Sequence, residues 1–340
     1  MVIIMRGYIE ISKNQLITNY KNIKEEIQKD IICVVKTNAY GHGLIEVTKI
    51  LSTQSPKMFA VSTLEEGILI RKNLIFTPIL LLGYCDNLLY ASNFRITLTI
   101  INLDYLKKLQ KANIPIFIHL LINTGMNRDG ILPLEIEEAM DIIKKSKLIL
   151  KGIFTHFASK NTYEKQNEIF LKVLDKIKTD NLIIHSQASS TFLIKNDKMT
   201  AVRVGLVLYG LDEQISFTKP ILKLITHPIC NYNFETLENV SYNQIQIPKL
   251  GYTYTLPIGY GDGLRRNYNY KVEVKGKLYS QIGVTCMDHL IIFSENKLKF
   301  TDDFILIGEL NPITLIAKEN DTIPYEIVSQ LSPRLKRFIK

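Results

Sequence analysis

An amine stands at the end of an apolar run in Cys33-Val34-Val35-Lys36-Thr37-Asn38-Ala39-Tyr40-Gly41-His42-Gly43. A lysine leaving an apolar strand sits in a low dielectric, where desolvation disfavours the charged form and lowers its pKa. A Schiff-base amine requires that. Gly41, Gly43 and Asn38 allow the next loop to fold tightly around a ligand. The same residues also describe a strand-end lysine that snorkels into water before a polar turn, and this segment alone does not separate the two.

To use that amine, the chain must present it at the rim of a scaffold. From about residue 12 to 215, short β-branched runs alternate with longer amphipathic segments. Eight strands are expected, at 31–36, 58–62, 79–83, 96–100, 116–122, 148–155, 182–185 and 201–208. Helix starts lie between them. Ser12-Lys13-Asn14-Gln15 and Ser62-Thr63-Leu64-Glu65 read as capping boxes, and Pro133 with Glu135, Glu137 and Glu138 suits a first turn. Eight βα repeats indicate an α/β fold, a closed (β/α)8 TIM-type barrel, with Lys36 at the C-terminal mouth where such barrels hold their active sites. The alternative, an open doubly wound sheet, would need a loop such as G-x-G-x-x-G after the first strand, and none follows it.

From about residue 216 the helical signals fade. Residues 272–274 and 277–279 flank Lys275-Gly276 as a hairpin. Further strands are expected at 284–293 and 304–308, and the strand-like 8–11 is expected to join them. The expected division is therefore a barrel over 12–215 and a C-terminal, mainly β domain over 216–340 together with 1–11.

The 340 residues exceed what one core usually supports, and 46% hydrophobic with 22% charged residues suits a globular protein. No apolar run approaches the roughly 18 to 20 residues that span a bilayer. The apolar start at residues 1–5 meets Arg6 and carries no cleavage-site pattern, so a cytoplasmic location is expected. Cys33, Cys85, Cys230 and Cys286 are scattered without metal-ligand spacing and read as free thiols, with no metal site. The net charge of +9 is spread along the chain without a basic stripe interleaved with aromatics, which argues against a nucleic-acid face.

Residues 33–43 closely resemble the pyridoxal-phosphate lysine motif of the alanine racemase family, and the resemblance runs along nearly the whole chain. Residues 58–67 look like the family's second βα unit. Asn123-Thr124-Gly125-Met126-Asn127-Arg128 is similar to its T-G-M-x-R segment, and 153–158 resembles its T-H-F-A strand. Residues 202–210 are similar to R-x-G-x-x-L-Y-G, 257–263 to G-Y-A-D-G, Cys286-Met287-Asp288 to C-M-D, and 321–327 to the closing signature. Eight ordered matches are specific where any single one would not be.

The resemblance implies an isomerase that interconverts L- and D-alanine and supplies D-alanine for peptidoglycan. It also implies a homodimer in which the β domain of one subunit completes the active site of the other. Pyridoxal 5'-phosphate would be carried on Lys36. Racemisation must remove an α-proton and return one to the opposite face, so two bases are required. By resemblance these are Lys36 and Tyr242. Among strands of a β domain, Tyr242 would otherwise read as a cross-strand aromatic. His156 and Arg203 would favour its phenolate, and Arg203 would meet the cofactor's pyridine nitrogen. Tyr40, Ser189 and the backbone near Gly205 and Leu206 would hold the phosphate. Arg128 and the Met287 backbone would hold the substrate carboxylate. Tyr260 would narrow the access path, with Asp288 nearby.

Several positions depart from the family pattern. Leu121 stands where the family usually has a carbamylated lysine that positions the arginine, and Asn123 replaces the usual aspartate. Arg128 is then expected to be held by Asn123, an anion or water. Residues 185–189 lack the usual A-N-S but keep Ser189, Asn243 follows the tyrosine in place of glycine, and Pro333 stands where some members have tyrosine. Three other readings remain open at this point. They are a racemase of serine or a basic amino acid, a PLP-dependent decarboxylase on the related barrel, and a PLP-binding protein without turnover.

Overall fold

A computed structural model of the chain describes residues 6–188, 191–242 and 244–340. The chain divides into two compact units. One comprises residues 209–340 with the N-terminal segment through Leu16 and the segment Tyr40–Glu46; the other comprises Ile17–Ala39 and Val47–Leu208.

After β1 (Tyr8–Ile11), the second unit holds eight parallel strands. They are β2 (Asp30–Val34), β3 (Met58–Val61), β4 (Ile79–Leu81), β5 (Ile96–Ile100), β6 (Ile116–Leu121), β7 (Leu148–Phe154), β8 (Ile183–His185) and β9 (Ala201–Val204). Their order is β8-β7-β6-β5-β4-β3-β2-β9, and an Ala188–Arg203 bridge spans the remaining seam, so the sheet forms a nearly closed barrel. β3, β5 and β9 are buried along their whole length. A parallel sheet covered on both faces reads as near-continuous β-branched runs for that reason. All eight expected strands are present. The run 201–208 is a strand only through Val204, and Leu206–Tyr209 forms a 3-10 turn. Its apolar character reflects burial of the turn.

The expected helix starts hold with one shift. Ser12 Oγ accepts from the Gln15 N–H. In the other box the cap is Thr63 and the returning carboxylate is Glu66, one residue later than Ser62 and Glu65. Ser-Thr followed by Glu-Glu offers both registers, and the Glu66 carboxylate takes the Ser62 and Thr63 N–H groups together.

The first unit is mainly β. β10 (Leu222–Thr226) pairs antiparallel with β1, and β1 pairs in parallel with the last strand, Lys336–Ile339. The expected hairpin is Lys271–Val274 with Lys277–Ser280, and Lys275 and Gly276 take φ of 50° and 74°. That is the left-handed pair a two-residue type I′ turn requires. A three-stranded sheet joins Cys230–Phe234, Gly251–Leu256 and Leu290–Ser294. The strand expected from 284 begins at Leu290, because Cys286 N–H bonds His289 O and turns the chain. Two seven-residue helices, Ile313–Glu319 and Pro324–Gln330, were not expected; each is too short to show helical periodicity.

Candidate active site

Lys36 follows β2 directly. Thr37, Asn38, Ala39 and Tyr40 all take left-handed backbone, φ 53–55°. L-residues disfavour this region by roughly 1–2 kcal/mol each, and such strain is found where the surroundings over-determine it. Glu66 is one hold: Oε1 accepts from Asn38 N–H at 3.2 Å while Oε2 accepts from Ser62 N–H at 2.9 Å. The carboxylate that caps the second barrel helix therefore also braces the turn behind Lys36. Burial, and then the Arg128 charge, push the Lys36 pKa down, against the opposing pull of Glu66.

Arg203 leaves β9 into the barrel interior and is 3% exposed. Its Nη1 donates to His185 Nδ1 at 2.6 Å and His185 O at 3.0 Å. Its Nη2 donates to Thr155 O, His156 Nδ1 and Ser186 O at 2.9, 3.1 and 3.2 Å. The guanidinium also lies 5.0 Å over the Phe154 ring. All these partners are neutral. Burial and then Arg128 lower its pKa to about 9, which leaves it charged at neutral pH.

The donor direction fixes the histidine tautomers. His185 accepts at Nδ1, so its proton is on Nε2, which meets His119 Nδ1 at 2.9 Å. His119 then carries its proton on Nε2, a buried atom with no partner among the described residues. Gly152 makes room for this pair, since a Cβ there would lie 2.5 Å from His119 Cε1. His156 likewise accepts from Arg203 at Nδ1, so its Nε2 keeps a proton to donate. Burial first, and Arg203 second, hold the pKa of His119 and of His156 at about 3 and that of His185 well below its usual value. All three are neutral at pH 7.

Arg128 lies on the loop after β6. This loop is tied down through Asn123 N–H to Ile131 O and Gly130 N–H to Ile101 O. A Thr124–Thr155 hydroxyl pair at 2.8 Å, extended by Gln166, joins it to the end of β7. Leu121 is buried, a leucine where a carbamate would need a lysine. Of the three expected holds on Arg128, namely Asn123, an anion or water, Asn123 is occupied elsewhere. Asn123 Oδ1 accepts from Gly125 and Asn127 N–H groups, and Nδ2 donates to Asn127 Oδ1. Among the described residues, the acidic partner of Arg128 is Asp129, with Nε 3.4 Å from Oδ1. Arg128 lies within electrostatic reach of Lys36, of Arg203 and of His156, and His156 within reach of Lys36 and Arg203. Gly205 and Leu206 begin the 3-10 turn after β9. Ser189 lies outside the described residues, as does Asn243.

In the other unit, Tyr40 is buried beside Tyr209 and Tyr325, with ring centroids 5.1 and 5.8 Å away. Burial raises its pKa above the usual phenol value. Tyr242 stands in the tip joining the paired strands Asn239–Val240 and Ile245–Gln246 and is exposed. Ser241, with φ 64°, sets up that tip. Tyr260 opens a 3-10 turn whose N–H groups bond Cys286 O at 3.0 Å and, from Gly261, Met287 O at 2.9 Å. Pro333 is exposed in the turn before the last strand.

Sequence reasoning passed over Glu66, Asp129, His119 and His185 as functional groups. The two histidines carried a signal: each is a polar residue inside an otherwise apolar barrel strand, and both are fully buried. Glu66 carried none, because its second partner depends on a left-handed turn.

Residues 11–213 match the family model for the alanine racemase N-terminal domain, and 221–339 that for the C-terminal domain. The chain is 30% identical over 368 residues to the alanine racemase of Clostridium novyi (strain NT), covering 98% of this chain and 95% of that protein. A solved alanine racemase of Clostridium difficile 630 is similar with a TM-score of 0.93 and 30% identity, covering 99% of this chain and 96% of that one. A second, from Bacillus anthracis with bound L-Ala-P, has a TM-score of 0.89 at 27% identity, covering 99% and 95%.

Proposed function

The chain belongs to the alanine racemase family, and on that premise we propose that it interconverts L-alanine and D-alanine by a two-base mechanism with bound pyridoxal phosphate. One observation carries the reading. Arg203 is a buried cation whose hydrogen-bond partners among the described residues are all neutral, and it shares a barrel mouth with an amine of lowered pKa and a second arginine. An uncompensated buried charge is costly, and this donor set suits an anionic, carbonyl-bearing ligand. The cofactor fits it.

Lys36 Nζ would attach the cofactor. Arg203 would donate to its ring nitrogen, and Tyr40, Ser189 and the backbone at Gly205 and Leu206 would hold its phosphate. When bound, pyridoxal phosphate supplies an aldehyde that condenses with amines and a conjugated ring that spreads the charge left by a departing α-proton.

Lys36, its charged form disfavoured by burial, moves a proton at Nζ on one face. Tyr242 of the second subunit moves one at Oη on the other. A phenol near pKa 10 needs help to act as a base at neutral pH. The reading assigns that help to the neutral His156, whose Nδ1 is committed to Arg203 and whose Nε2–H is left to stabilise a phenolate oxygen. An arginine surrenders its proton reluctantly, so Arg203 would leave the ring nitrogen of a bound cofactor without one and would limit competing chemistry there. Arg128 and the Met287 backbone orient the substrate carboxylate, and Tyr260 restricts what reaches the site.

In the same reading the functional division is a barrel over 12–215 and a β domain over 216–340 with 1–11. The protein is a cytoplasmic homodimer that feeds D-alanine into peptidoglycan. Among the described residues, no helix is long and apolar enough to cross a membrane. The deciding experiment is chiral analysis of alanine after incubating the purified protein with pyridoxal phosphate and L-alanine. An approach to equal amounts of both enantiomers supports the reading. Bound cofactor without D-alanine refutes it.

A further inference from the structure

Two arginines and two aspartates join the two loops that carry Tyr260 and Met287. Asp262 lies in the Gly259–Gly263 loop and is 1% exposed, while Asp288 follows Met287 and is part-exposed. Arg6 Nη2 reaches Asp288 Oδ1 at 2.9 Å and Asp262 Oδ2 at 3.3 Å. Arg334 Nη2 reaches the same Asp288 Oδ1 at 2.7 Å, and its Nε lies 3.4 Å from Asp262 Oδ1. Each guanidinium thus touches both carboxylates. The Asp262 Oδ1 contact is ionic without hydrogen-bond geometry. Asp262 Oδ2 also accepts from Gly259 N–H at 3.0 Å, but its charge is balanced by the two arginines, and a lost cation leaves it partly uncompensated. Hydrogen bonds from Arg334 and Arg6 hold the Asp288 carboxyl below its usual pKa, so it is ionised at neutral pH.

The backbone around the square is packed to match. A Cβ on Gly259 would lie 2.3 Å from Cys286 O. A Cβ on Gly261 would lie 2.3 Å from Arg334 Nη1. The family pattern G-Y-A-D-G has alanine at this position, so glycine here opens the space through which Arg334 reaches Asp288. Asp262 O also accepts from Ser332 N–H at 3.0 Å, which brings the Arg334 segment onto the same loop.

We propose that Arg6, Asp288 and Arg334 are positioning residues that clamp the Tyr260 and Met287 loops in register and thereby set affinity for the substrate carboxylate. The substrate half of this rests on the racemase reading; the clamp half does not.

The test uses the full-length holoenzyme and the variants Asp288→Asn, Asp288→Glu and Gly261→Ala. Two measurements are made: backbone amide exchange over 259–263 and 286–288, and kcat and KM for L-alanine. In Asp288→Asn, Tyr260 and Gly261 amide exchange should quicken by about tenfold and KM should rise by about tenfold, with kcat within about threefold, the scale of one lost charge-assisted contact. Asp288→Glu should recover most of both changes. Gly261→Ala, which displaces Arg334 but leaves Arg6 in place, should fall between. Unchanged exchange in both Asp288→Asn and Gly261→Ala overturns the clamp. Faster exchange with unchanged KM, or a loss confined to kcat, overturns the positioning role. A wild-type chain that binds cofactor without racemising alanine refutes the functional reading, and the exchange measurement still decides the clamp.

Discussion

Glu66→Ala should destabilise the barrel unit and loosen the turn behind Lys36. The substitution removes the acceptor for Ser62 N–H at 2.9 Å, for Asn38 N–H at 3.2 Å and for Thr63 N–H at 3.4 Å. The last lies at the edge of bonding distance, so two contacts carry the effect. A hydrogen bond to a charged group contributes about 1.5–3 kcal/mol and a lost cap costs about 0.5–2 kcal/mol. Water replaces part of this at a half-buried site, which leaves about 2–4 kcal/mol in all. For a barrel-sized domain, at about 2–4 °C per kcal/mol, the melting temperature should fall by roughly 4–16 °C. The assay is thermal unfolding of the apo protein followed by near-UV circular dichroism, with Glu65→Ala as control. Glu65 is exposed and has no part in the cap, so its variant should stay within about 0.5 kcal/mol of wild type. The functional companion is the half-time of cofactor release after dilution, which should shorten at least about fivefold, near 1 kcal/mol, in Glu66→Ala alone. Equal melting temperatures for wild type and Glu66→Ala, or an equal fall in Glu65→Ala, would refute the reasoning.

Borohydride treatment of the cofactor-loaded protein should fix the cofactor to the peptide containing Lys36, and Lys36→Ala should lose racemisation in both directions; labelling of another lysine by mass spectrometry rejects the assignment. Mixing inactive Lys36→Ala with inactive Tyr242→Phe subunits should restore activity, because a mixed dimer holds one site with both bases; heterodimers confirmed by mass but inactive exclude a shared site. His119 and His185 are neutral in the fold, while unfolded histidine takes a proton near pH 6.5. The unfolded state therefore binds more protons below that pH, and these two groups should cost roughly 3 kcal/mol of stability between pH 6.5 and 5. Denaturant midpoints across that range check this, and flat midpoints count against a neutral pair.

The barrel was legible because parallel strands buried on both faces keep their apolar runs, and because Lys36 and Arg203 are polar residues at the ends of such runs. The cap at Thr63 was misplaced by one residue because adjacent hydroxyls and adjacent carboxylates make two registers locally equivalent; only the tertiary contact from Asn38 selects Glu66. The His119–His185 pair joins strands 66 residues apart, a distance at which no local pattern operates. The ion square has the same character, since Arg6 meets Asp288 across 282 positions. Local periodicity reports what a strand buries. It does not report which polar groups the barrel and sheet closure bring face to face.

Arg128 lacks the positioning charge that a carbamate would give it. Leu121 is buried and cannot form a carbamate, and the Asn123 carbonyl oxygen is spent on two backbone N–H groups. Asp129 remains, at 3.4 Å and in a part-exposed pair. Exposed pairs contribute about 0–1 kcal/mol, which is at most about fivefold in affinity. A substrate anchor held so weakly gains from a small anion that supplies the missing charge. Racemisation should then be faster, or KM lower, in chloride than in a larger, poorly fitting anion at equal ionic strength, and carbon dioxide removal should have no effect. Leu121→Lys should reduce the dependence on chloride, because the new side chain can carry the charge itself. Equal kinetics in both anions, together with a rise in KM beyond fivefold in Asp129→Asn, would reject the anion and make Asp129 the hold on Arg128.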